Sequence, residues 1–197
     1  MFELKNTFNT GPQGWCSYDY HWSVVSRCNC FILGNWESSG GVEGSGYIWT
    51  DHTRWSADTP EDPVSILPFL TYTHWTNIEP LDLRDANISV YIRGDDLKLN
   101  GAKCYFWAVG EKESGRFHLK SNPLDISADC WADSPNSFTL VNDESLWHRS
   151  WSKNKSNPPS LDNLLSKCIS YGISLVGFDN EPAGRLSMDE LIVTLRT

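Results

Sequence analysis

The sequence predicts an all-β fold: two antiparallel sheets packed as a β-sandwich, with one short helix near residues 160–170. Three observations lead there. Turn signals are dense, among them Gly11-Pro12, Gly40-Gly41, Gly94-Asp95, Asn100-Gly101 and Asn157-Pro158-Pro159, and short runs rich in β-branched and aromatic residues lie between them. Several of these runs alternate strictly between apolar and polar residues. The segment from Pro158 to the C-terminus reads as a helix, a strand, a turn and a last strand in succession.

Three alternating runs stand in the middle of the chain. In residues 87–93, Ile88, Val90 and Ile92 point one way and Ser89, Tyr91 and Arg93 the other. In residues 103–109, Cys104, Phe106 and Ala108 oppose Lys103, Tyr105 and Trp107. In residues 116–120, Phe117 and Leu119 oppose Arg116, His118 and Lys120. The three read as a meander within one sheet, its apolar face on a core. The helix follows Pro158-Pro159, with Ser160 as N-cap. Leu161, Leu164, Leu165, Cys168 and Ile169 fall on one face, Asp162 and Lys167 suit the helix dipole, and Gly172 stands where the helix would end. Strands are then expected over 173–178 and 186–195, joined by a turn that contains Pro182 and Gly184.

The 197 residues suit a single domain spanning 1–197, with enough apolar residues (40%) to form a core. The formal net charge of −9 repels phosphate backbones, so nucleic acid is not an expected partner. No apolar run is long enough to cross a bilayer as a helix. Residues 1–30 lack a basic segment leading into an apolar stretch, so no signal peptide is read there. The expected location is the cytoplasm, or outside the cell if the chain is an excised domain. The six Cys form no paired C-x-x-C units, which argues against structural zinc and for free, buried thiols; disulfides would be expected only in an exported protein.

Short motifs along the chain resemble the galactose-binding-like jelly rolls, which include many carbohydrate-binding modules. The tail carries Asn157-Pro158-Pro159, Leu164-Leu165, Gly172-Ile173-Ser174-Leu175 and the run from Gly184 to Leu191. Gly46-Tyr47-Ile48, Leu81-Asp82-Leu83 and Ile88–Arg93 look like the central hairpins of such modules, and Phe8 with Gly14-Trp15 is similar to their opening. The order is also similar to laminin domain IV. The resemblance implies a two-sheet antiparallel jelly roll. It further implies a structural Ca²⁺ where the first and last strands meet, with Asp189 and, more loosely, Glu3 at the matching positions. The other reading of Asp189 is a surface ion pair or a hydrogen bond.

The expected function is non-catalytic binding of an oligo- or polysaccharide. The polar side of the meander would gather Tyr91, Arg93, Tyr105, Trp107, Arg116 and His118, combining flat apolar platforms with hydrogen-bond donors. Its cationic share favours an acidic glycan. The competing reading packs this face beneath a loop. The loop region 49–75 offers His52, Trp55, His74 and Trp75, with a solvated turn at Asp58–Pro63 as the other reading, and Trp147-His148-Arg149-Ser150-Trp151 has similar chemistry, its tryptophans spaced by four equally able to clamp the loop to the core. No G-x-S-x-G, H-E-x-x-H or phosphate-loop motif is present. A polysaccharide lyase using Tyr91, Tyr105, His118, Arg93 and Arg116 is the enzymatic alternative, ahead of a glycoside hydrolase. A protein-interaction or structural sandwich is the third reading.

Overall fold

The alternation at 87–93 belongs to a longer strand, Asn87–Lys98, in which Ile88, Val90 and Ile92 are buried while Ser89, Tyr91 and Arg93 are half-buried on the other side. A computed structural model describes residues 2–51, 65–180 and 182–196, and in it this strand lies beside the long C-terminal one. The first sheet holds β1 (Phe2–Asn6), β4 (Asn35–Glu37), β5 (Tyr47–Thr50), β7 (Asn87–Lys98), β10 (Ser127–Ala128), β11 (Asn136–Thr139) and β14 (Ala183–Leu195). Its order is β10-β7-β14-β5-β4, with β1 also on β14 and β11 also on β7. The second sheet holds β2 (Cys16–Tyr18), β3 (Phe31–Leu33), β6 (Ser65–Tyr72), β8 (Lys103–Gly110), β9 (Gly115–His118), β12 (His148–Ser152) and β13 (Cys168–Val176), in the order β12-β9-β8-β13-β6-β2-β3. Among the described strands all ladders are antiparallel except the short β10–β7 pairing.

The core lies between the sheets. Ile88 and Val90 of the first sheet and Phe69, Phe106 and Ile173 of the second belong to one buried apolar cluster, joined by Trp15, Ile48 and Met188. The predicted two-sheet jelly-roll sandwich is therefore the observed architecture. The single-sheet meander is not. β7 belongs to the first sheet, while β8 and β9 pair with each other in the second. Alternation says which side of a strand is buried, but both sheets bury a side against the same core, so it does not say which sheet a strand joins. The chain changes sheet at Leu99–Ala102, where Asn100 and Gly101 both take positive φ and the Ala102 N–H donates to the Leu99 carbonyl at 3.0 Å.

Two short helices cap the strands: α1 (Tyr20–Ser26) and α2 (Leu161–Ser166). Ser160 caps α2 as expected, its hydroxyl accepting the Asn163 N–H at 3.3 Å, and Leu161, Leu164 and Leu165 are buried. The helix stops earlier than its apolar spacing suggests. The Cys168 N–H and C=O exchange hydrogen bonds of 2.9 Å with Leu81, which withdraws Cys168 from the helical ladder and starts β13 there. Gly172 consequently lies inside a strand. The same exchange makes Leu81 an isolated bridge partner rather than part of a hairpin. All six cysteines are free thiols; Cys104 and Cys168 are buried, whereas Cys28 and Cys130 are exposed. Burial pushes the Cys168 thiol up to about 12.

Candidate functional site

The outer side of the second sheet is the concave feature that gathers aromatic side chains. Trp107 and Val109 of β8 face this side by strand parity, and a register shift between Ile66 and Phe69 of β6 brings both Leu67 and Leu70 to it; the four form a buried apolar floor outside the main core, with Tyr18, Phe31, Tyr72 and Trp75 packed against it. Above this floor runs a groove of about 290 Å³. One wall is an aromatic series of Tyr18, Phe31 and Tyr72: Tyr18 and Phe31 have ring centroids 5.3 Å apart and Phe31 and Tyr72 5.9 Å, while Trp75, itself outside the groove lining, packs on Tyr72 at 4.7 Å, all tilted or edge-on. Edge-on contacts of this kind hold the rings in place. The opposite wall carries Trp151, which is 43% exposed, with Arg116 and Glu113.

Arg116 is positioned by β9 and β12. Its Nε donates to Ser150 Oγ at 3.1 Å, and its guanidinium carbon lies 5.8 Å from the centroid of the Trp107 ring. Burial first, and then the charge of Glu113, pushes the Tyr72 phenol up to about 12, so at neutral pH it is a hydrogen-bonding phenol and not a base. His118 sits beneath the surface at 4% exposure. Its Nδ1 is 2.8 Å from Ser150 Oγ and its Nε2 2.9 Å from Ser174 Oγ. Burial, helped by Arg116 and His148, holds its imidazole well below the ordinary histidine range.

The structure divides the six residues that the sequence placed on one face. Tyr105, Trp107, Arg116 and His118 belong to the second sheet; Tyr91 and Arg93 lie on the outer side of the first. Arg93 is enclosed there, 4.9 Å from the Tyr47 ring and 4.6 Å from the Trp131 ring, and its Nη2 donates to Asp95 at 3.1 Å. Trp107, at 2% exposure, is floor rather than platform. Of the set considered for a lyase, Tyr91 and Arg93 are thereby parted from Tyr105, His118 and Arg116. His52 and Trp55 lie outside the described residues. Trp147 is buried, with its Nε1 donating to the Val141 carbonyl at 2.9 Å, so in that stretch it is the clamp while Trp151 faces the groove. Tyr18, Asn29, Phe31, Tyr72 and Glu113 were missed. Tyr18 and Phe31 sit on three-residue strands, and Tyr72 ends β6, where the run Ile66-Leu67-Pro68-Phe69-Leu70 is continuously apolar and shows no alternation.

Glu3 and Asp189 do not share a site, so they do not fit a calcium ion. Glu3 is exposed, is paired with Lys5 at 2.9 Å, and lies across from Thr194. Thr194 is on the order of 15 Å along β14 from Asp189. Asp189 is buried, and its carboxylate accepts the Val42 N–H, the Ser45 O–H and the Glu190 N–H, each at 2.7 Å. Among the described residues no group of three or more His, Cys, Asp or Glu is placed to hold a metal.

No family model matches the chain, and no curated protein matches it in sequence. Solved structures do. A family 11 carbohydrate-binding module from Clostridium thermocellum, in complex with a beta-1,3-1,4-mixed-linked tetrasaccharide, aligns over 98% of this chain and 95% of its own, with 10% identity and a TM-score of 0.53. The solution structure of CtCBM11 aligns over 99% and 96%, with 11% identity and a TM-score of 0.51. The chain shares the jelly-roll fold of these two modules. The L4b domain of human laminin alpha-2 also aligns with this jelly roll, over 100% of this chain and 99% of its own, at 7% identity and a TM-score of 0.49.

Proposed function

We propose that this jelly roll binds a glycan chain in the groove on the outer side of its second sheet. The observation that carries the reading is the groove's composition: aromatic side chains along its walls, with Arg116 and Glu113 among them. Sugar rings present C–H faces that pack on aromatic planes and hydroxyls that pair with guanidinium and carboxylate groups, so recognition needs both kinds together. The family 11 module that shares the fold was solved with a tetrasaccharide, which supports the reading without transferring its ligand. The expectation of an acidic glycan loses its footing. Arg93 is spent on Asp95 on the other sheet, and in the groove Arg116 is matched by Glu113. The reading is therefore a neutral oligosaccharide.

The test is titration of the full chain with neutral oligosaccharides (mixed-linked glucan, xylan and galactan fragments) and with an acidic uronate oligomer, followed by tryptophan emission and calorimetry. Saturable binding of a neutral ligand without any product, weakened about tenfold in Trp151→Ala, is expected. Binding of undiminished affinity in Trp151→Ala would move the site elsewhere. No binding across the panel would leave the jelly roll as a protein-interaction domain, and release of unsaturated uronate products would make it a lyase.

A further inference from the structure

Ser26, the last residue of α1, holds two thiols on one oxygen. Its hydroxyl donates to the Trp22 carbonyl at 2.6 Å, so its single proton is committed. The same oxygen then accepts from Cys28 Sγ at 3.1 Å and lies 3.3 Å from Cys30 Sγ. The two sulfurs thus converge on one point, with Cys28 exposed and Cys30 half-buried. Two residues of extended chain span about 6.6 Å, within the Cα separation of about 4.4–6.8 Å that a disulfide tolerates. The residue between them, Asn29, accepts the Tyr18 O–H at 3.1 Å, and both line the groove.

We infer that Cys28 and Cys30 are a reversible thiol–disulfide modification site whose closure resets the Asn29–Tyr18 wall of the groove. The backbone decides which partner moves. The Cys30 N–H donates to Ser23 Oγ at 2.8 Å and its carbonyl accepts the Asp19 N–H at 2.9 Å, which pins Cys30 to α1. Closure draws Cys28 toward it and turns Asn29 away from Tyr18. A small-molecule disulfide such as oxidised glutathione supplies the oxidation. The Cys28 thiolate attacks one of its sulfurs and expels a glutathione thiolate; the Cys30 thiolate then attacks Cys28 Sγ and expels the second. The protein loses two thiol protons and two electrons, and one glutathione disulfide becomes two glutathione thiols. Cys104 and Cys168 are sealed in the core and take no part.

Only the effect on ligand affinity rests on the proposed glycan site. The full chain is treated with oxidised glutathione, alkylated and mapped by mass spectrometry. The expected product is a peptide with Cys28 joined to Cys30, lighter by two hydrogens and restored by dithiothreitol. Free, alkylated Cys28 and Cys30, or a lasting glutathione adduct on Cys28, overturns the pair. The near-ultraviolet circular dichroism of oxidised and reduced protein should differ, and Tyr18→Phe should remove most of that difference; identical spectra overturn the link to the groove wall. A glycan that binds should do so severalfold more weakly after oxidation, and equal affinity also overturns the link. Binding in neither redox state would sink the glycan reading, while the mapped disulfide and the spectral change would stand.

Discussion

Ser174 Oγ and His118 Nε2 lie 2.9 Å apart on the same side of the second sheet as Trp107, both buried, and they tie β13 to β9 across the intervening β8. This contact makes His118 a stability element, and its sign can be worked out. Burial depresses the folded imidazole below its ordinary value of 6.5. Near pH 7 the group is neutral in both states and contributes no slope. As pH falls below about 6.5 the unfolded chain takes up a proton that the folded chain refuses, so stability drops, by at most about 1.4 kcal/mol per pH unit, until the folded value is passed. Urea unfolding between pH 7.5 and about 5 should show this fall in the native protein. His118→Gln should be less stable at neutral pH and should show a shallower fall. An unchanged slope would assign the acid sensitivity to other groups.

Trp151 and Trp107 both belong to the groove but should fail in opposite ways. Trp151 is 43% exposed at the rim, so Trp151→Ala should leave the unfolding midpoint near that of the parent and weaken glycan binding about tenfold, the loss of roughly 1.4 kcal/mol of stacking. Trp107 is 2% exposed in the floor, so Trp107→Ala should cost about 3–5 kcal/mol of stability. Parallel denaturation and binding curves on the two variants separate these outcomes. A Trp107→Ala protein of native stability would mean that the floor is not packed as described.

The contrast between these two tryptophans shows how far the sequence could be read. Local periodicity placed the strands around Ile88, Phe106, Phe117 and Met188 and the cap at Ser160, because those signals depend on neighbours in the chain. Partnership between sheets was illegible, since Val90 and Phe106 obey the same inward parity from opposite sides of the core. The face predicted from the sequence was therefore divided between the two sheets. Arg116 and Trp107 do meet at the groove, while Tyr91 and Arg93 were carried to the other sheet by the change of direction at Asn100-Gly101. Tyr18 and Phe31 were invisible for a different reason: a three-residue strand has no period to detect.

Asp189 should behave as a structural acceptor. Its three donors, Val42 N–H, Ser45 O–H and Glu190 N–H, use both carboxylate oxygens. Asp189→Asn must turn an NH₂ group toward at least one of them, leaving donors opposed in a buried place, and should cost about 1–3 kcal/mol. Ser45→Ala, which removes one donor and leaves the charge, should cost about 1 kcal/mol. Chemical denaturation of the two variants, each with and without added calcium, checks this. A calcium-dependent midpoint in the parent that is lost in Asp189→Asn would overturn the structural assignment.

Gly172 gives the sharpest separation between a sequence reading and the folded chain. As a helix terminator it would tolerate alanine at a cost of about 1 kcal/mol, the ordinary difference in backbone preference. In the structure it lies in the middle of β13, across from Leu70 of β6 and Trp107 of β8. A Cβ there would collide with the Phe69 carbonyl oxygen and fall 2.9 Å from the Leu70 Cα, both backbone atoms of the adjacent strand. No side-chain rotation relieves a clash with backbone, so β6 would have to move away from β13, and it carries Phe69 into the core and Tyr72 into the groove wall. Gly172→Ala should therefore cost roughly 2–4 kcal/mol and alter the aromatic near-ultraviolet signal as well as the unfolding midpoint. A loss near 1 kcal/mol with an unchanged aromatic signal would mean that the two strands are not this close.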